Sequence, residues 1–171
     1  RDMASKGAEL LLPAHGLPIA GADQIRLVLN DVASALEYLV QETLQRMNEG
    51  AKLNDILQEV RLDPSILEKP YLRPTYDEPE FIIRNIWRLY GGWYDGNPAR
   101  LKPAPDQVLA AELAALAGGT LALAERASTL MNHDIRLACH LVELAVQSEP
   151  LNQAAHEIRS AIYQHRRNQE T

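Results

Sequence analysis

Apolar positions along the chain recur at three-to-four spacing in runs broken by glycine and proline, and that rhythm predicts a helical protein. The longest run is Ala22–Asn48. Ile25, Val28, Leu29, Val32, Leu36, Leu39, Val40, Leu44 and Met47 form one stripe there, and Gly50 closes it. A helix of that length needs other long helices, or a second chain, to cover its stripe. A short helix is predicted over Leu53–Val60, capped by Asn54, with Ile56, Leu57 and Val60 turned inward. Asp63-Pro64 turns the chain, and Pro70 and Pro74 keep Ser65 to Tyr76 mostly non-helical. Asp77-Glu78-Pro79-Glu80 carries a helix-start signature, with Asp77 as the cap, an acid three positions on and proline in the first turn. The helix it opens presents Ile82, Ile83, Ile86, Trp87, Leu89 and Tyr90 and stops at Gly91-Gly92.

Beyond a connector at Ala99–Ala104 the pattern gives four more helices. The first starts at Pro105-Asp106, carries Val108, Leu109, Glu112, Leu113 and Leu116, and ends at Gly118-Gly119. The second spans Thr120–Met131. The third is capped by Asp134 and runs through Gln147, and the last is capped by Asn152 and runs to about Arg167. Ala138, Ala145 and Pro150 have the spacing of the second helix and terminal proline of a tetratricopeptide repeat. Ser160 and Tyr163 sit where a following repeat places a small residue and an aromatic. The tryptophan and glycine signals of such a repeat's first helix are missing. The front of the chain also breaks the helical rhythm: Glu9–Leu12 reads as a strand or extended segment and Pro13–Gly21 as a tight loop. The expected fold is therefore all-α, a multi-helix bundle with a long N-terminal helix and tetratricopeptide-like C-terminal hairpins, behind a short strand and loop.

Aromatic side chains concentrate at one place. Trp87, Tyr90, Trp93 and Tyr94 are four of the nine in the chain, and they flank the glycine pair before the turn Asp95-Gly96-Asn97-Pro98. They read as a core hub between two helical layers or, alternatively, as the wall of a substrate or partner site.

The formal net charge of −6 argues against nucleic-acid binding, which needs a basic face, and the short His165-Arg166-Arg167 cluster suits a helix C-terminus instead. The single cysteine, Cys139, excludes an internal disulfide and a thiolate metal site. No run of eighteen apolar residues predicts a membrane span, and no signal-peptide pattern is present. The first residue is arginine and the last helical pattern continues to the final residues, so a piece of a longer protein is expected.

Candidate chemistry is sparse. His15 follows the predicted strand in a loop of two prolines and two glycines, which would aim an imidazole well, but no other ligand lies near it in sequence. His133, His140, His156 and His165 are spaced by seven, sixteen and nine, so none pairs at i,i+4. His140 and Glu143 could share a helix face without a second such pair. Asp77, Glu78 and Glu80 are accounted for by helix capping. A glycine-rich phosphate loop and a Gly-x-Ser-x-Gly elbow are absent.

Three segments together resemble one family: Leu12-Pro13-Ala14-His15-Gly16-Leu17-Pro18 through Gly21, Gln45-Arg46-Met47-Asn48-Glu49-Gly50, and Ile86-Trp87-Arg88-Leu89-Tyr90-Gly91-Gly92-Trp93-Tyr94-Asp95-Gly96-Asn97-Pro98. Their order and spacing, with Arg136-Leu137-Ala138 and Glu149-Pro150-Leu151-Asn152 in the tail, are similar to the alkyl sulfatases built on a metallo-β-lactamase fold. The resemblance implies that residues 1–21 are the C-terminal edge of a zinc-binding catalytic domain and that residues 22–171 are its helical dimerisation domain. It implies that His15 is one ligand of the second zinc, while the family's His-x-His-x-Asp-His motif and its terminal lipid-binding-like domain are absent here. The expected partners are a second copy of the chain and, in the full-length enzyme, an alkyl sulfate ester hydrolysed to alcohol and sulfate at two zinc ions. This chain alone is expected to be inactive and to hold no zinc stably. The long helix, through Val28 and Leu36, and the hub of Trp87, Tyr90, Trp93 and Tyr94 are expected to build the homodimer interface. The rival reading is a repeat-like helical module that binds a peptide or partner protein, which would expose apolar residues on its last two helices. A dimerisation domain would bury them.

Overall fold

The structure, a computed structural model, describes residues 1–74 and 77–170. Eight helices and one two-stranded sheet form among these residues. They divide into two compact units, Arg1–Leu101 and Lys102–Thr171.

The first unit opens with a 3-10 turn, Met3–Lys6, and a hairpin in which β1 (Leu10–Leu11) pairs antiparallel with β2 (Ile19–Ala20). Gly21 N–H donates to Glu9 O at 2.9 Å and closes it. The expected strand at Glu9–Leu12 is thus confirmed at its centre. The return strand falls inside the stretch read as loop, because two residues are too few to show alternation. α1 (Ala22–Asn48) follows directly, with the predicted bounds. Arg1 lies along it, its guanidinium bonding Asn30, Ser34 and Glu37, so the front segment is seated on the long helix.

α2 (Leu53–Glu59) and α4 (Pro79–Gly91) pack against each other, and α4 also packs on α1. Their shared core is made of large aliphatic side chains: Leu39, Ile56, Leu57, Val60, Ile83 and Ile86 are all buried. Two cap assignments are corrected. Lys52, not Asn54, precedes α2, and Glu78, not Asp77, precedes α4, and neither side chain bonds a helix amide. Proline at the start of α4 has no N–H to satisfy, so that end asks less of a cap. Between these helices, Pro64–Leu67 forms one helical turn, α3, in a stretch expected to be mostly non-helical. Asp63 accepts from Ser65 N–H at 2.8 Å and proline follows the cap, so the pair read as a plain turn is a helix start. Thr75 and Tyr76 of that stretch lie outside the described residues.

The second unit holds α5 (Asp106–Leu116), α6 (Thr120–Leu130), α7 (Ile135–Ser148) and α8 (Gln153–Glu170). The predicted caps are present. Asp134 accepts from Leu137 N–H at 2.9 Å, and Asn152 accepts from Ala155 N–H at 3.1 Å. α8 continues past Arg167 to Glu170. α7 is the central helix, packed on α5, α6 and α8. The core here is built of small residues: Ala110, Ala124, Ala127, Ala138, Ala145 and Ala155 are fully buried, beside Val142 and Ile162. The Val108, Leu109, Leu113, Leu116 stripe of α5, whose side the sequence pattern left open, faces out, and Ala110 and Ala114 face in. Alanine lets neighbouring helices approach closely, and the turn of the helix then carries the larger side chains away from that contact.

Candidate functional site

His15 stands exposed in the seven-residue loop that joins β1 to β2, and β2 runs straight into α1. The hairpin and the long helix therefore fix where the imidazole is presented. Among the described residues no group of three or more His, Cys, Asp or Glu could hold a metal ion. One imidazole does not make a zinc centre, so the residues of this chain do not fit one by themselves. His133, His140 and His156 are exposed on the second unit, and His165 is half-buried. Glu143, the candidate partner of His140, is taken by Arg159, whose Nε donates to its Oε1 at 2.6 Å.

The aromatic stretch proves to be two things. Trp87 is half-buried against the core of the first unit, and its indole Nε1–H donates to Tyr94 O at 3.0 Å. That bond folds the loop after Gly92 back onto α4. Gly92 makes the reversal with φ of 82°, a conformation that costs other residues energy. Asp95 then braces the loop, its Oδ1 accepting from Asn97 N–H at 3.0 Å and its other oxygen paired with Arg100. Those backbone and guanidinium partners hold its carboxyl below the usual range. Asp95 O accepts from Leu53 N–H, and Gly96 lies where a Cβ would meet Lys52, so the loop is stapled to the start of α2. Tyr90 and Trp93, by contrast, are 60% and 74% exposed. Trp87 packs against the core of the first unit, whereas the last helical turn and the loop carry Tyr90 and Trp93 beyond it; the edge of the Trp93–Tyr94 pair, 6.0 Å between centroids, is the only ring contact in the stretch among the described residues.

The two interface candidates on α1 also part company. Val28 is buried within the first unit, whereas Leu36 is 42% exposed at the mouth of a cavity of about 220 Å³ lined also by Val32, Leu39, Leu62 and Tyr71. Beside that cavity Asp31 accepts from Lys69 and from the Tyr71 hydroxyl, each at 2.6 Å. The ammonium and the phenol together hold the Asp31 carboxyl low. Spacing in the sequence gave no hint of this triad, whose members lie up to 40 residues apart.

α7 and α8 bury their apolar faces through Ala138, Cys139, Val142, Ala145, Ala155 and Ile162. Leu137 on α7 and Tyr163 on α8 remain 43% and 37% exposed. Sequence reasoning missed the outward stripe of α5. The available signal is the alternation of leucine and alanine along the helix.

Among the described residues, then, the fold is helical apart from one short hairpin, no His, Cys, Asp and Glu cluster could hold a metal, and no single helix is long and apolar enough to cross a membrane. The alkyl sulfatase dimerisation family matches residues 52–171. The chain belongs to that family. It is 28% identical over 158 residues to a linear primary-alkylsulfatase and 30% identical over 154 residues to an (R)-specific secondary-alkylsulfatase, both from Pseudomonas. The alignments cover 91% and 89% of this chain and 30% and 23% of those proteins, so the chain spans under a third of their length. The solved structure of the stereoselective inverting sec-alkylsulfatase Pisa1 from Pseudomonas superposes with a TM-score of 0.83 at 29% identity, over 92% of this chain and 25% of that one.

Proposed function

We propose that this chain is the dimerisation segment of a zinc-dependent alkyl sulfatase, an enzyme that hydrolyses alkyl sulfate esters to alcohol and sulfate, and that the segment alone is inactive. The match of the alkyl sulfatase dimerisation family to residues 52–171 carries this reading. Residues 1–21, with the hairpin, are the edge of a metallo-β-lactamase-like catalytic domain, and residues 22–171 are the helical domain. The hairpin supports that boundary, since it is the one non-helical element described and it presents His15 outward. In this reading His15 is one ligand of a zinc site whose other ligands lie outside this chain, and when bound the metal supplies an activated water. The segment's own work is to hold two copies together and to fix the hairpin that presents His15.

The test takes the 171-residue chain with dodecyl sulfate as substrate and zinc added. The expected result is a dimer with no turnover and no stoichiometric zinc. Turnover, or one tightly held zinc per chain, would overturn the reading of the segment as an incomplete catalyst. A monomer at every concentration would overturn the reading of it as a dimerisation segment.

A further inference from the structure

We propose that the outward stripe of α5, centred on Leu109, Leu113 and Leu116, is the surface on which a second copy of this chain docks. The inference rests on the dimerisation reading and adds to it the place of contact.

The three leucines are 51%, 37% and 84% exposed. Their i, i+4, i+7 spacing is that of a helix seam, and at about 100° per residue they fall within an arc of about 60°. Val108, 55% exposed, and Glu112 flank the stripe on one side. Ala110 and Ala114, which pack inward on the unit's own core, lie on the other. From Pro103 to Glu125 the chain has no lysine or arginine, so α5 itself brings no cation to this face. A stripe of this kind suits the dry centre of an interface, with the remainder of the usual area, about 800 Å² per partner, coming from its polar surroundings.

One rival surface is α1, and it fails on geometry; another, Leu89, Tyr90 and Trp93 at the end of α4 and in the loop after it, lies across a glycine break and not along one helix seam. The exposed large residues of α1 are Leu27, Leu36 and Tyr38. Leu27 and Tyr38 share one side of the helix, but Leu36 stands about 180° away at about 100° per residue, at the mouth of the cavity. They make no single patch. The dimerisation family also matches residues 52–171, which include all of α5 and none of α1. A second copy is therefore the occupant that fold, composition and family agree on.

The experiment is sedimentation equilibrium of the whole chain and three variants, with circular dichroism on each. Leu109→Lys with Leu116→Lys is expected to keep the helical spectrum and weaken the dimer by about 100-fold or more, because each lysine would be buried at the centre of the contact. Leu151→Lys, at a residue 97% exposed between α7 and α8, is expected to dimerise as the native chain does. Should the double lysine variant lose its helical spectrum, Leu109→Ala with Leu116→Ala decides: weakening of about tenfold or more supports the proposal, and unchanged affinity overturns it. A native dimer that the folded double lysine variant forms equally well overturns the α5 surface and leaves the dimerisation reading standing. A native chain that stays monomeric overturns the dimerisation reading itself.

Discussion

The two units bury opposite kinds of residue. In the first, the large aliphatic side chains go inside: Leu39, Ile56 and Ile83 are fully buried. In the second, alanines fill most of the buried positions, and leucines of α5 remain outside. Both units look equally apolar as sequence. The difference lies in the size of the side chains that fill each core. The first unit leaves leucines exposed as well, among them Leu17, Leu27 and Leu89, but its core is built of large side chains; the second builds its core from alanines, so its own fold draws less on its leucines.

Substitutions in the two cores should separate them most sharply. Ile83→Ala deletes a buried side chain in the aliphatic core and is expected to destabilise the first unit by about 2–5 kcal/mol, measured by urea unfolding. An effect below about 1 kcal/mol would deny that unit the core described here. Ala138→Leu is the converse experiment. The second unit has no room for the added carbons at a fully buried alanine, and a loss of about 1–3 kcal/mol is expected by the same assay. A neutral or stabilising result would mean that the alanine contacts are loose and the outward leucines need another explanation.

Caps give a smaller contrast. Asp134→Ala removes the side-chain bond to Leu137 N–H and should cost about 1 kcal/mol in the second unit. Glu78→Ala removes no cap bond and should change the stability of the first unit by less than about 0.5 kcal/mol. Equal effects at the two sites would contradict the cap geometry.

Titration offers the finest distinction. In the second unit Tyr163 is pushed up to about 12, first by burial and then by its hydrogen bond to Glu143. Its folded value is raised, so its contribution is whole below the unfolded value of about 10 and is lost as pH rises toward about 12. Tyr163→Phe should flatten that part of an unfolding profile. In the first unit the sign is reversed. Asp31 is held low by the Lys69 hydrogen bond and then by Tyr71. Its contribution is present above the unfolded carboxylate range and is lost as pH falls through the folded value, and Asp31→Asn should remove that acid limb. Profiles that did not respond to these substitutions would show that neither contact couples to folding.

Much of this architecture is legible in the sequence because its signals are local. Glycines and prolines punctuate the chain, and Asp134 and Asn152 mark helix starts with side chains that cap in place. The bounds of α1 follow from a stripe of nine apolar residues. What stays hidden depends on distance. Periodicity shows that α5 has an apolar side, but only packing shows that its alanines are the buried residues and its leucines the exposed ones. Trp87 and Trp93 look alike as residues, yet the Gly92 reversal leaves one against the core and the other 74% exposed. His15 could be placed in a rigid loop from its neighbours. Its role as a zinc ligand comes from family resemblance and stands here as a proposal, because one imidazole specifies no metal.

The most direct measurement is a methyl NMR spectrum of the leucine-labelled chain, followed by dilution from dimer to monomer. The account predicts that the methyl signals of Leu109, Leu113 and Leu116 shift with dilution while that of the fully buried Leu39 stays fixed. Fixed signals along α5, with shifts at Leu27 and Leu36 of α1, would contradict it.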